Sequence, residues 1–372
     1  MDNVRLPGDE KGRKRLDILK DILAALSGVL NGLPQGLLAL AFGFASIPTA
    51  AAFIIGAVGN AATNNVAVIS YQAETITVAG TMGRSMRERL SMIFIGAAIL
   101  LVVGLFGVLE WVMDWIGPVI INGMMAGVGI MLSKVAWDMA KNDRVVGISS
   151  FASALLVYMA TEDLVYTITV SVVLAGIIAN LQKKNTSINK EEARQNEGFK
   201  MQKIIFSPMV LRGAMAMVCL NIGANIAFGR INQDIAGTEV NIDTLTIISS
   251  LADMASSLFG GAPVEIIISA TASAPHAVWS GVLMMALMAI ILFAGWLPKI
   301  GRYVPSASIS GFLFVLGAIV TLPSNAAAAL AGEGAGSGLV GGMTMAVTAF
   351  TDPFLGMLAG IIIEFLIGVF GF

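Results

Sequence analysis

The sequence predicts an all-α membrane protein of fourteen transmembrane segments, arranged as two inverted repeats of seven. Three observations carry that expectation. The chain is too apolar for water: its mean hydropathy is +0.84, and 56% of residues are hydrophobic while 12% are charged, against about 25% charged in a soluble domain. Its long apolar runs follow one another closely, as membrane-spanning helices do. A glutamate-bearing segment also occurs twice: residues 71–81 read YQAETITVAGT and residues 262–272 read APVEIIISATA. Pairing Glu74 with Glu265 gives an offset of 265 − 74 = 191, about half of the 372 residues.

A polar tail, 1–20, precedes the first apolar run. It carries no short apolar core with a cleavage site, so a removable signal is not expected. Apolar segments then fall near 21–46, 47–63, 66–81, 90–110, 117–137, 146–161 and 163–182, making a first repeat of 21–182. A polar linker follows at 183–206. The second repeat, 207–372, holds segments near 207–229, 242–259, 262–275, 277–297, 303–322, 338–350 and 353–371. Segments 66–81 and 262–275 are too short for a straight helix of ~20 residues to cross a bilayer. They hold the two glutamates, and short segments at matched positions of two halves point to a transporter's binding site. Ten-residue blocks of alternating polarity are absent, which argues against a β-barrel. The 41 glycines suit close helix packing in lipid.

Further matches keep the same order and nearly the same offset. Ala41-Phe42-Gly43 pairs with Ala227-Phe228-Gly229, Pro118 with Pro305, Gly129 with Gly317 and Thr161 with Thr351. Seven spans per repeat bring the second copy in from the opposite face. Charge complicates the orientation. Lys and Arg mark cytoplasmic loops, yet they crowd both the tail (Arg5, Lys11, Arg13, Lys14, Arg15, Lys20) and loops of the other parity (Arg84, Arg87, Arg89, Lys141, Arg144, the linker, Lys299, Arg302). Either the tail is outside or the span count is one off in the first half, with the segment around Pro48 the weakest.

A carboxylate inside an apolar span is costly and usually faces a cavity where it has a role. Glu74 and Glu265 are therefore the leading binding residues. Tyr71 and Gln72 precede Glu74, and Pro263 fits the first turn of a short helix holding Glu265. A carboxylate at a helix N-terminus offsets the dipole and offers an acceptor, which suits a flat neutral ligand rich in N–H donors, or a proton. The alternative is a helix cap or an ion pair. Gln35 in the first span and Asn221 and Asn225, four apart on the eighth, offer amides to such a ligand, or simply tie helices together. Asp253 in the ninth span is a second proton-coupling candidate beside Glu74, or a helix-pairing residue. Lys134 and Asp138 read as an ordinary pair, Glu364 and His276 as interfacial residues. Gly332–Gly342 follows no strand and is no phosphate loop. One cysteine, Cys219, and one histidine leave no disulfide and no metal-ligand set. No nucleophile–base pair emerges, so an enzyme is not expected, nor a cofactor or a nucleic-acid partner.

LKDILAALSGVLNGLPQGLLALAFGFASIPTAAAF resembles the opening of the sulfate permease family, with its mid-helix Pro-Gln and a proline starting span two. IGPVIINGMMAGVGIML resembles the fifth span of the xanthine–uracil (nucleobase) permeases. GGAPVEIIISAT resembles their tenth, where a glutamate accepts hydrogen bonds from the base and a threonine, here Thr271, follows. The nucleobase family's second acid, in span eight, is replaced here by Asn221 and Asn225. The resemblance implies one shared fold: a core domain (spans 1–4 and 8–11), a gate domain (5–7 and 12–14), and half-helices at spans three and ten, each preceded by a short strand. It also implies an H⁺-coupled secondary transporter of a nucleobase in the cell membrane, working by alternating access, with a homodimer through the gate. The alternative it leaves is a sulfate-permease-like transporter of inorganic or organic anions.

Overall fold

The computed structural model describes residues 7–182, 198–332 and 336–370, with side chains from Lys14 onward. The first part runs α1 (Pro7–Ala41), α2 (Ser46–Thr63), β1 (Val68–Ser70), α3 (Ala73–Met82), α4 (Met86–Leu105), α5 (Leu109–Ile116), α6 (Pro118–Asn142), α7 (Arg144–Thr161) and α8 (Leu164–Leu181). The second runs α9 (Pro208–Ala236), α10 (Ile242–Leu258), β2 (Glu265–Ile267), a 3-10 turn (Ala270–Ser273), α11 (Ala277–Phe293) and α12 (Trp296–Gly301). It closes with α13 (Ser306–Leu330), α14 (Ser337–Phe350) and α15 (Pro353–Phe370). The element order of the first part thus recurs in the second, a short connecting helix included.

Local chemistry sets many of the boundaries. Ser85, Asp143, Asp163, Ser207 and Asn241 each accept a backbone N–H from the first turn of α4, α7, α8, α9 and α10. These bonds satisfy N–H groups that a helix start leaves open. Pro118 and Pro208 occupy first turns, where the missing N–H costs nothing. Gly237 ends α9 in the left-handed region, φ +64°.

Among the described residues, nine helices are long and apolar enough to cross a membrane, and α11 and α14 are shorter apolar helices. The chain is a multi-pass membrane protein. Its helices sort into two packing groups. In one, α4 lies on α9 and α10, α2 on α10 and α11, and α1 on α11. In the other, α6 lies on α13 and α14, α7 on α8 and α13, and α14 on α15. The groups meet through α9–α15, α1–α8 and α3–α6 contacts. Gly129 and Gly317 face each other where α6 crosses α13, and a Cβ on Gly317 would lie 2.6 Å from Gly129 O. There α13 widens into a π-helical stretch, Val315–Thr321.

The structure departs from the sequence reading at several places. The tail is helical from Pro7, so its charged residues from there on form the first turns of α1, while 1–6 lie outside the described residues. Most of the linker, 183–197, also lies outside them. Residues 262–275 do not make a half-helix: they are a strand and a single 3-10 turn. Pro263 therefore starts no helix. Asp138 takes Lys141 at 3.2 Å rather than Lys134. His276 is not merely interfacial, since its Nδ1 lies 2.8 Å from Asp21 Oδ2. That pair ties the first half of α1 to the start of α11, while Arg89 donates to Phe42 O at the far end of α1. The described part of the basic tail and the basic loop after α3 therefore sit at opposite ends of α1, which agrees with the span count and not with a single basic face.

Candidate functional site

The site is built around a crossing of two three-residue strands. β1 and β2 pair antiparallel, with Val68 opposite Ile267, Ile69 opposite Ile266 and Ser70 opposite Glu265. Both strands are fully buried. Non-helical backbone at membrane depth needs every polar group satisfied by protein, and side chains from neighbouring helices supply much of this. Asn60 of α2 donates to Ala67 O at 2.5 Å, and Ala67 N donates to Asn65 Oδ1 at 3.1 Å. Asn232 of α9 donates to Ile267 O at 2.8 Å and accepts Ser269 N at 3.2 Å. Thr49 accepts Ala262 N at 2.9 Å, and Ser256 donates to Ala262 O at 2.6 Å. Small residues on α1 let it pass close beside the crossing. A Cβ on Gly32 would lie 2.8 Å from Ser70 Oγ, and one on Gly36 2.8 Å from the Tyr71 ring.

Glu265 is the first residue of β2 and is 2% exposed. Asn221 Nδ2 of α9 donates to its Oε1. Asn225 lies one turn on along α9, fully buried, and neither of its amide atoms completes a hydrogen bond. From α10, Asp253 accepts the N–H of Val264, the residue before Glu265, at 2.6 Å. Glu265 Oε2 has no hydrogen-bond partner among the described residues. The eighth-span asparagines, Asp253 and Glu265 thus form one buried cluster. No Lys, Arg or His pairs with Glu74, Asp253 or Glu265 among the described residues.

Glu74 lies in the first turn of α3 and is 6% exposed. It follows Ser70, the ladder partner of Glu265, by four residues. Gln35 Oε1 accepts Ala73 N at 2.8 Å, so the Gln35 amide holds the start of α3 rather than standing free. Gln72 is buried with neither amide atom hydrogen-bonded. Tyr71 is packed between α1 and α2, its ring edge-on to Phe53 with centroids 5.5 Å apart; it belongs to the core beside the site.

The strand starts are offset by 265 − 68 = 197, six more than the 191 that pairs the two glutamates, so Glu265 opens its strand whereas Glu74 lies in the helix after its own. Sequence reasoning assigned no role to Ser70 and Thr77, buried hydroxyls without partners near the crossing, or to the strut residues Asn60, Asn65 and Asn232. The signal was a concentration of Asn in apolar segments.

No family model matches the chain, and no curated protein matches it in sequence. Solved structures do match. The transmembrane domain of a cyanobacterium bicarbonate transporter, BicA, superposes with a TM-score of 0.66 at 14% identity, over 93% of this chain and 97% of that one. The murine Slc26a9 anion transporter in the inward-facing state gives 0.68 at 16% identity, over 95% of this chain and 69% of that one. A second SLC26A9 structure gives 0.68 at 14% identity, over 95% and 66%. The chain has the fold of these membrane transporters. At such identities the likeness is one of fold.

Proposed function

We propose that the protein is a secondary transporter that moves a small anion together with a proton by alternating access. One observation carries this reading: a buried acid–amide cluster, without a cation, at a strand crossing in a fold shared with a bicarbonate and an anion transporter. An anion cannot approach three ionised acids. It can approach when Glu265 and Asp253 are protonated, because each carboxyl then gains an O–H donor and loses its charge. Asn221, Asn225 and Ser70 add neutral donors. Proton and anion then bind each other's site favourably, which is the thermodynamic content of coupling. Glu74 is a further buried carboxyl that can hold a proton, and Gln72 completes the wall.

The recurring element order and the antiparallel strands support a reading of two inverted seven-span repeats. The two packing groups support a core of spans 1–4 and 8–11 moving against a gate of spans 5–7 and 12–14. A nucleobase remains the second reading, favoured by the unsatisfied Glu265 Oε2 and the open Asn225 amide, a donor–acceptor pattern that suits a planar heterocycle. Uptake into proteoliposomes tests both. Bicarbonate, sulfate or a small carboxylate should accumulate when the outside is more acidic, and Glu265→Gln should abolish that dependence on the pH gradient. Accumulation of uracil or xanthine instead would move the assignment to the second reading. Uptake of neither class by folded protein would overturn the proposal.

A further inference from the structure

We propose that the hairpin of α6 and α7 carries a binding site for an anionic phospholipid, independent of the transport site. A groove of about 610 Å³ opens on the outside of this hairpin. Its walls are Trp137, Ile148, Phe151 and Leu155, and its end is closed by Lys141 and Arg144. Trp137 and Ile148 are 58% and 69% exposed, so the groove faces outward, where a multi-pass protein meets lipid. The aromatic wall is held in place: Trp137 packs edge-on to Phe151, and Phe151 packs on Phe314 of α13 at 4.8 Å between centroids.

The charged end specifies the headgroup. Lys141 Nζ lies 5.7 Å over the Trp137 ring and 3.2 Å from Asp138, so it is held at the groove end while staying exposed. Arg144 is exposed, begins α7, and forms no ion pair among the described residues. The start of α7 adds the partial positive charge of its N-terminus. Among the described residues the acids nearby in the chain are Asp138 and Asp143; the first is paired with Lys141, and the second, engaged elsewhere as well, caps α7 at Val146 N. An apolar channel ending in a guanidinium, an ammonium and an indole matches an acyl chain below a phosphate at the bilayer interface. A neutral headgroup would leave Arg144 without a counter-charge.

Native mass spectrometry of the full chain, released from mild detergent with phosphatidylglycerol or phosphatidylethanolamine added, tests this. Wild type should retain phosphatidylglycerol with a preference of roughly tenfold to thirtyfold, from two basic groups near the surface. The double variant Lys141→Gln/Arg144→Gln should lose the preference and keep the fold. Ala152→Trp, which fills the groove, should lose both lipids. If that variant fails to fold, Ile148→Trp serves the same purpose. Equal retention of the two lipids by wild type, an unchanged preference in the double variant, or a second copy of the chain occupying this face would overturn the proposal.

Discussion

Removing the Arg212 side chain should cost about 2–3 kcal/mol of stability. Arg212 is the fifth residue of α9, and both its Nε (2.6 Å) and Nη2 (2.5 Å) reach Asp352 Oδ2. Asp352 is fully buried, at 0% exposure, while Arg212 is 37% exposed. The pair therefore joins the two helix groups, beside a cavity of about 390 Å³ lined by α3, α6, α9 and α14 residues. In Arg212→Ala the Asp352 carboxylate keeps one donor, Leu355 N at 3.0 Å, and loses its charge partner. Stripping one member of a buried pair costs about 3–5 kcal/mol, and access of water to the vacated, part-exposed position trims this to the figure above. With about 2.1 cal/mol/K of unfolding entropy per residue over 372 residues, Tm should fall by roughly 3 °C. Thermal unfolding in detergent measures it. Asp352→Asn in the Arg212→Ala background should recover part of the loss, giving a coupling of at least about 1 kcal/mol in the double-mutant cycle. A drop under about 1 °C for Arg212→Ala, or strictly additive single variants, would refute the claim that the pair holds the two groups together.

Asn232→Ala should lower stability by about 2–4 kcal/mol, because it strands Ile267 O and Ser269 N at the crossing; thermal unfolding against Asn232→Ser checks it. Gly36→Ala should cost about 1–3 kcal/mol through contact with the Tyr71 ring, and Tyr71→Leu in the same background should relieve part of it. Asn221→Ala should weaken substrate binding roughly tenfold or more through its lost bond to Glu265 while leaving the fold intact; equilibrium binding of the transported anion to detergent-solubilised protein reads this directly, and unchanged affinity would remove Asn221 from the site.

Much of this architecture was legible in the chain. Hydropathy placed most helices within a few residues of their ends, because a span's apolar run is bounded by charged or capping residues, as at Asp143, Asp163 and Asn241. The buried acids were legible for the same reason: Glu74, Asp253 and Glu265 interrupt runs otherwise meant for apolar surroundings. What hydropathy cannot separate is strand from helix in a short buried run. The segment around Glu265 is rich in Val and Ile and fully buried, so it reads alike in either state; only the pairing with β1 decides. Glu74 and Glu265 align through common neighbours, yet one lies in the helix after its strand and the other opens its strand, a difference that hydropathy does not carry. Lys134 and Asp138 were misread as partners because helix spacing permits both i+3 and i+4 contacts, and Lys141 won.

The inequality of the two segments after the strands has a consequence for motion. α3 offers ten residues of helix, of which Ala73 through Gly80 are buried, whereas its counterpart is one 3-10 turn with Ile268, Ala270 and Ser273 open to the surroundings. Few backbone hydrogen bonds must break to loosen that turn, so amide deuterium uptake should be fast across 268–276 and slow across 73–80. Fluctuations that admit solvent to Glu265 are then expected to begin beside the second strand, with α3 as the rigid wall against which they occur.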